Sequence, residues 1–148
     1  MTNPDMPKEY SSYKSSSGDD GDEITRQARR ILRAFSASSS NIEACAAVTG
    51  DGFIIASVMA DEVDEDRFGA MCASLLALSA RAAAEIQRGE LRQIILDGTL
   101  GPMLLTRAGG VGVLAVATNP QANLGKVMLD TRKAAQALGE LVPPGVTI

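Results

Sequence analysis

Side chains able to do chemistry are few in this chain of 148 residues, because it contains no histidine. Histidine is the commonest general base and a common metal ligand, and the Ser-His and Cys-His nucleophile systems require it. The two cysteines, Cys45 and Cys72, share no metal-binding or redox spacing, and each lies in an apolar segment. We predict that both are buried free thiols in a reducing compartment, which indicates a cytoplasmic protein.

Carboxylates are the remaining candidates for catalysis or metal binding, and five of them crowd between residues 61 and 66. Paired carboxylates catalyse glycoside hydrolysis, and acidic loops bind calcium. This cluster lacks the spacing of a calcium loop, and aromatic residues make up only 3% of the chain, which leaves little to line a sugar or nucleobase pocket. Negative charge at a helix start is explained by the helix dipole. The sequence therefore predicts no catalytic residue, no metal, no cofactor and no enzymatic activity.

The segment Gly50-Asp51-Gly52 is the one stretch that could be mistaken for a phosphate-binding loop. It lacks the Gly-Lys-Ser/Thr ending of such loops, and it lies between two predicted strands rather than between a strand and a helix. Glycine and aspartate tolerate the positive φ of tight hairpin turns. We therefore interpret it as a β-hairpin turn.

Charge is concentrated at the N-terminus. The formal net charge is −4, and the six acidic residues and two lysines of residues 1–23 account for all of it. A neutral remainder argues against nucleic-acid binding, which needs a basic surface. We predict an acidic, serine-rich disordered tail over residues 1–22, one domain over residues 23–142, and a short C-terminal tail over residues 143–148. The polar start predicts no signal peptide, and no apolar run is long enough for integral membrane association.

The chain is organised around a long helix predicted over residues 64–89, with Gly89 as its C-cap. A large apolar face follows helical spacing. Its members are Phe68, Met71, Cys72, Leu75, Ser79, Ala82 and Ile86. The opposite face is formed by small residues, namely Ala70, Ala73, Ala77, Ala80 and Ala84. A helix with no polar side is buried on both sides, so we favour the close approach of a helix from a second copy, the alternative being that one chain covers both faces.

A first helix is predicted over residues 23–35, with an apolar stripe on one side and arginines on the other. The arginines are Arg26, Arg29, Arg30 and Arg33. A basic amphipathic helix can meet a membrane surface or an acidic partner. Without flanking tryptophan or phenylalanine, a solvated face is the favoured interpretation, and the role of these arginines stays open.

Five strands complete the chain, predicted over residues 42–49, 53–58, 91–97, 102–107 and 111–117. Asn123 is predicted to cap a last helix that ends before Pro143-Pro144. The short connections predict antiparallel pairing. The fold class is thus α/β of the α+β type, in the order α-β-β-α-β-β-β-α: a five-stranded antiparallel sheet with the long helix on one face and the two terminal helices on the other.

Three phrases of this sequence, in this order of elements, resemble the Roadblock/dynein light-chain domain. They are AVTGDGFIIAS at residues 47–57, MCASLLALS followed by RAA at residues 71–83, and NLGKV at residues 123–127. The first lies on the hairpin, the second on the central helix, and the third opens the last helix. The resemblance covers roughly residues 24–141.

The resemblance implies a small non-enzymatic subunit that pairs with itself or with another Roadblock protein. In that family two sheets join edge to edge and the central helices lie side by side. Bacterial and archaeal members, which this chain resembles more closely, are often linked to Ras-like small GTPases that meet the paired helices. The matching surface here is Ala70, Ala73, Ser74, Ala77, Ala80, Arg81 and Ala84. The function expected is that of a dimeric interaction module for a small Ras-like GTPase. A structural light-chain-like scaffold subunit and a small-molecule sensor domain are the alternatives.

Overall fold

The computed structural model describes the backbone of residues 8–146 and the side chains of residues 21–146. The helices are α1 (Lys8–Ala37), α2 (Glu65–Glu85) and α3 (Leu124–Gly139). The strands are β1 (Ile42–Val48), β2 (Ile54–Val58), β3 (Gln93–Gly98), β4 (Gly101–Arg107) and β5 (Val113–Thr118). A 3₁₀ turn, Gly109–Val111, separates β4 from β5. The predicted order of helices and strands is confirmed.

The five strands form one antiparallel sheet in the order β2-β1-β5-β4-β3. Consecutive strands pair within the hairpins β1–β2, β3–β4 and β4–β5. The pairing of β1 with β5 joins the two halves of the sheet, for example at Cys45 opposite Val116. Strands β2 and β3 are therefore the two edges.

Helices cover both faces of the sheet, as predicted. On one face Leu32 of α1 and Leu138 of α3 pack with Leu114 and Val116 of β5. On the other face Cys72 of α2 packs with residues of β1, β4 and β5. Side chains alternate between the faces along each strand, so the apolar central strands supply both layers of the core. No helix among the described residues is long and apolar enough to cross a membrane.

Helix α1 begins at Lys8, well before the predicted start at residue 23. Residues 8–22, predicted as part of a disordered tail, continue the helix, while residues 1–7 lie outside the described residues. Disorder is the prediction for this stretch because it has almost no apolar side chains to bury, whereas a helix needs only local backbone hydrogen bonds. The domain limits at residues 22 and 142 stay predictions.

The end of α2 differs from its prediction. The helix ends at Glu85, and Gln87 rather than Gly89 takes the left-handed conformation that closes it, with φ of 58°. The Gln87 N–H donates to the carbonyl of Ala84, and the Arg88 N–H donates to that of Ala83 at 2.7 Å. This pattern is a Schellman cap, in which glycine is the usual residue. Gly89, with φ of 82°, lies in the connection to β3.

The C-terminal segment also differs in detail, because α3 ends at Gly139, before the predicted stop at Pro143-Pro144. Val142 is buried beyond the end of the helix, and the Val146 N–H donates to the carbonyl of Pro143. This segment thus folds back on the domain up to Val146. Residues 147 and 148 lie outside the described residues.

Candidate interaction surface on the central helix

The two thiols are buried on opposite faces of the sheet and are separated by it. Cys45 belongs to the core under α1 and α3, and Cys72 belongs to the core under α2. Burial raises the pKa of each thiol to about 11, so both stay protonated at neutral pH. A protonated, buried thiol is a poor nucleophile and a poor metal ligand. The prediction of two buried free thiols is confirmed.

The acidic cluster at residues 61–66 starts α2, as its composition predicted. Asp64 is the N-cap, and its carboxylate accepts a hydrogen bond from the Arg67 N–H at 3.1 Å. Glu65 accepts a hydrogen bond from the Ser57 hydroxyl. Within residues 21–146 no three cysteine or acidic side chains are grouped so that they would hold a metal ion. Asp64 and Glu65 therefore have structural partners.

Helix α2 packs on the sheet through a narrower face than the sequence predicted. Gly69 and Cys72 are buried, and Phe68, Leu75 and Leu76 are half-buried against the core. Cys72 lies at the middle of this face, because each residue turns the helix by about 100° and the others fall within about 60° of it.

Three residues assigned to the large apolar face are exposed instead. Met71 and Ile86 expose 56% and 64% of their surface, and Ala82 is exposed as well. Met71 is about 100° around the helix from Cys72, and Ile86 lies beyond the last helical residue. The helical spacing rule assigned these residues to the buried face because it counted a wide arc of the helix surface as one face.

The predicted partner surface divides into two groups. Ala73 and Ala80 are half-buried, and Ala73 is close to Gly52 in the β1–β2 turn. The other five form one exposed stripe along the side of α2 away from the sheet. They are Ala70, Ser74, Ala77, Arg81 and Ala84. The stripe extends for about 21 Å at the helical rise of 1.5 Å per residue.

Two large apolar side chains lie beside this stripe, and sequence reasoning missed their exposure. Met71 exposes 56% and Leu78 exposes 64% of its surface. Their seven-residue spacing places them on one side of the helix, which is the signal that would have found them. Together with the stripe they form the outer face of α2, defined by Ala70, Met71, Ser74, Ala77, Leu78, Arg81 and Ala84.

The edge strand β3 is a second exposed apolar feature. It pairs only with β4, so one side of its backbone has no partner strand among residues 8–146. Ile95 and Leu96 are both exposed, although they point to opposite faces of the sheet. An apolar edge strand is a template for pairing with another strand. The outer face of α2 and the β3 edge are thus two exposed apolar features of the chain.

Comparison with known proteins agrees with this architecture. The sequence model of the Roadblock/LC7 domain matches residues 18–118. An uncharacterized protein of Methanocaldococcus jannaschii is 34% identical over 100 residues, which are 68% of this chain and 87% of that protein.

Two solved structures share the fold at low sequence identity. Myxococcus xanthus MglB superimposes with a TM-score of 0.73 at 20% identity, over 82% of this chain and 94% of that chain. The gliding protein MglB of Thermus thermophilus superimposes with a TM-score of 0.70 at 19% identity, over 80% and 90%. The match of the domain model to more than half of the sequence establishes the family. The chain is a member of the Roadblock/LC7 domain family.

Proposed function

We propose that this protein is a dimeric, non-catalytic regulatory module in which two copies pair through the outer face of α2, and that the paired α2 helices form the surface that binds a small Ras-like GTPase. The observation that supports this most strongly is the outer face itself. It has one charged residue, Arg81, along about 21 Å of helix, and it leaves Met71 and Leu78 in solvent. Large apolar side chains exposed together mark interaction sites.

Self-association is supported by the small residues of the outer face. Ala70, Ala77 and Ala84 let a second helix approach closely, so that Met71 and Leu78 can pack against it. The free edge of β3 offers backbone hydrogen bonds to a second copy of the same strand. A structure of MglB, which has the same fold, is described as a tetrameric arrangement. Pairing with a different Roadblock protein would use the same helix face and the same strand edge. It is the alternative to self-association in this proposal.

Binding of a GTPase is supported by the resemblance of the sequence to the bacterial and archaeal Roadblock group. In the proposed action the protein presents a surface and donates no catalytic residue. The chain has no histidine, the commonest general base, and burial raises the pKa of both thiols, which weakens them as nucleophiles. We place this function in the cytoplasm. A scaffold subunit would use the outer face with equal affinity in every nucleotide state of its partner.

A pull-down from lysate of the source cells tests this proposal. Tagged protein is incubated with GDP or with a non-hydrolysable GTP analogue, and the captured proteins are identified by mass spectrometry. We expect a small GTPase in one nucleotide state, and its loss with Arg81→Glu, which reverses the one charge of the outer face. Arg30→Glu makes the same change on the exposed side of α1 and should leave capture unchanged. Equal capture of the partner with GDP and with the GTP analogue would favour the scaffold subunit. Capture that Arg81→Glu does not reduce would contradict the proposed surface.

A further inference from the structure

A cavity of about 850 Å³ lies on the side of the sheet opposite α2. On this side α1 packs on β1 and β2, while α3 packs on β4 and β5. No helix among the described residues is left to cover β3, so a space remains between α3, the ends of β3 and β4, and the C-terminal segment. Its volume is within the range of small-molecule sites, roughly 300–1,000 Å³.

Three arginines line this cavity, and only one carboxylate does. The cationic residues are Arg92, Arg107 and Arg132, and the acidic one is Glu140. None of the three guanidinium groups forms an ion pair within residues 21–146. The Arg107 guanidinium points to the α2 side of the sheet instead, because Arg107 follows Thr106 on β4 and its Nε donates to the carbonyl of Leu91 at 2.6 Å in a cleft beside Ala80. Arg92 and Arg132 thus leave an excess of positive charge over the single carboxylate of Glu140 in the cavity lining.

One buried and one half-buried polar side chain, Thr106 and Gln93, complete the floor of the cavity. Thr106 is 6% exposed, and its Oγ1 accepts a hydrogen bond from Nε2 of Gln93 at 2.9 Å. The two residues are opposite each other on β4 and β3, so the sheet fixes their positions. Because the Thr106 hydroxyl accepts from Gln93, its own proton is available to donate to an anionic oxygen.

The remaining wall is apolar and is formed by the C-terminal segment. Val142, Pro143 and Val146 line the cavity together with Ala135 of α3. The segment crosses Gly110 closely: a Cβ at that position would lie 2.1 Å from the carbonyl oxygen of Val146. The glycine therefore allows the segment to lie where it closes the cavity.

We propose that this cavity binds a small organic anion. A carboxylate, phosphate or sulfonate group of the ligand is held by the guanidinium groups of Arg92 and Arg132 and by the Thr106 hydroxyl, because charge-assisted hydrogen bonds are the strong ones. An apolar body of the ligand lies against Val142 and Val146. The site is on the other side of the sheet from the outer face of α2, so it does not depend on the proposed GTPase binding.

The test uses the full-length protein and 8-anilinonaphthalene-1-sulfonate, which has an anionic group on an apolar body. We expect saturable binding by fluorescence, weakened about tenfold or more by the double variant Arg92→Gln/Arg132→Gln, because each lost contact is a hydrogen bond to a charged group. Both arginines are exposed and lack ion pairs, so the fold should tolerate the change. Arg30→Gln on α1 is the matched control and should not alter the affinity. N-phenyl-1-naphthylamine, the same body without the sulfonate, should bind more weakly.

A second measurement locates the dye without any substitution. Amide chemical shifts of ¹⁵N-labelled wild-type protein should change in residues 106–110 and 135–146 on titration. Shifts confined to α2 would mean that the dye binds the outer face, and the proposal would be overturned. Equal affinity of the wild type and the double variant, or no saturable binding, would overturn it as well.

Discussion

The two cysteines are buried by the sheet and its helices. Cys45 and Cys72 are each 2% exposed, and Sγ of Cys45 is 3.7 Å from the carbonyl of Leu32. Their environment is apolar, and desolvation disfavours the thiolate. Their chemistry is thereby suppressed, which agrees with a protein that acts through its surface.

This burial predicts how stability depends on pH. Each thiol has a pKa raised from 9.0 to about 11 by burial in the folded chain. Between those values the unfolded chain loses protons that the folded chain retains, so the free energy of unfolding falls as pH rises. The slope is up to about 1.4 kcal/mol per pH unit for each thiol, and the contribution is fully present below pH 9. Denaturant unfolding at pH 8, 9 and 10 under reducing conditions measures it.

The variant Cys45→Ala/Cys72→Ala is the control for other groups that titrate in this range. It should be less stable overall, yet its free energy of unfolding should fall less steeply with pH. Parallel pH profiles of the wild type and the double variant would show that the thiols do not cause the slope.

At the scale of the elements, α2 docks on the β1–β2 turn through two glycines. A Cβ on Gly69 would lie 2.2 Å from the carbonyl oxygen of Gly52, which itself has φ of 94°. Helix and turn are therefore in backbone contact. Helix propensity alone argues the other way, because glycine within a helix is less favourable than alanine by about 1 kcal/mol.

The contact predicts opposite effects for two helix glycines. Gly69→Ala should lower the free energy of unfolding by about 1–3 kcal/mol, because backbone atoms have to move apart. Gly125→Ala near the start of α3 should raise it by up to about 1 kcal/mol, since the nearest atom to a new Cβ is Oδ1 of Asn123 at 3.4 Å. Thermal or denaturant unfolding compares the two variants. A stabilised Gly69→Ala protein would contradict the close docking of α2.

Much of the element arrangement could be predicted from local chemistry. Asn123 caps α3 through the Lys126 N–H, and the 50–52 turn joins β1 to β2, as their residue types indicated. The cap at Gln87 could not be predicted, because a glycine two residues further on is the stronger signal and only the packed helix shows where it ends. The contact of Gly69 with Gly52 joins a helix to a turn in the folded chain. Rules based on residue spacing along the sequence do not predict such a contact.

At the scale of the whole molecule, the candidate surface was predicted in part. Five of the seven residues predicted as a partner surface form an exposed stripe from Ala70 to Ala84, and their role in binding stays a prediction, while Met71 and Leu78 were assigned to the core or overlooked. The sequence contains the apolar residues of α2, but the sheet decides which of them it covers. In the same way, the cavity is lined by residues that are far apart in the chain, such as Arg92 and Arg132, so spacing along the sequence does not predict it.

The exposed outer face and the free edge of β3 together lead to the central claim, that two copies of this chain associate through α2. A glutamate in a close apolar contact between helices would be buried without a partner, which is costly. Ala77→Glu should therefore break the association. Ala34→Glu makes the same substitution at an exposed position of α1, on the other side of the sheet, and is the matched control.

The measurement is the molar mass in solution, by light scattering after size exclusion at micromolar concentration. The account predicts twice the monomer mass of 15.4 kDa for the wild type and for Ala34→Glu, and the monomer mass for Ala77→Glu. A monomeric wild type, or an Ala77→Glu protein that stays fully dimeric, would contradict it.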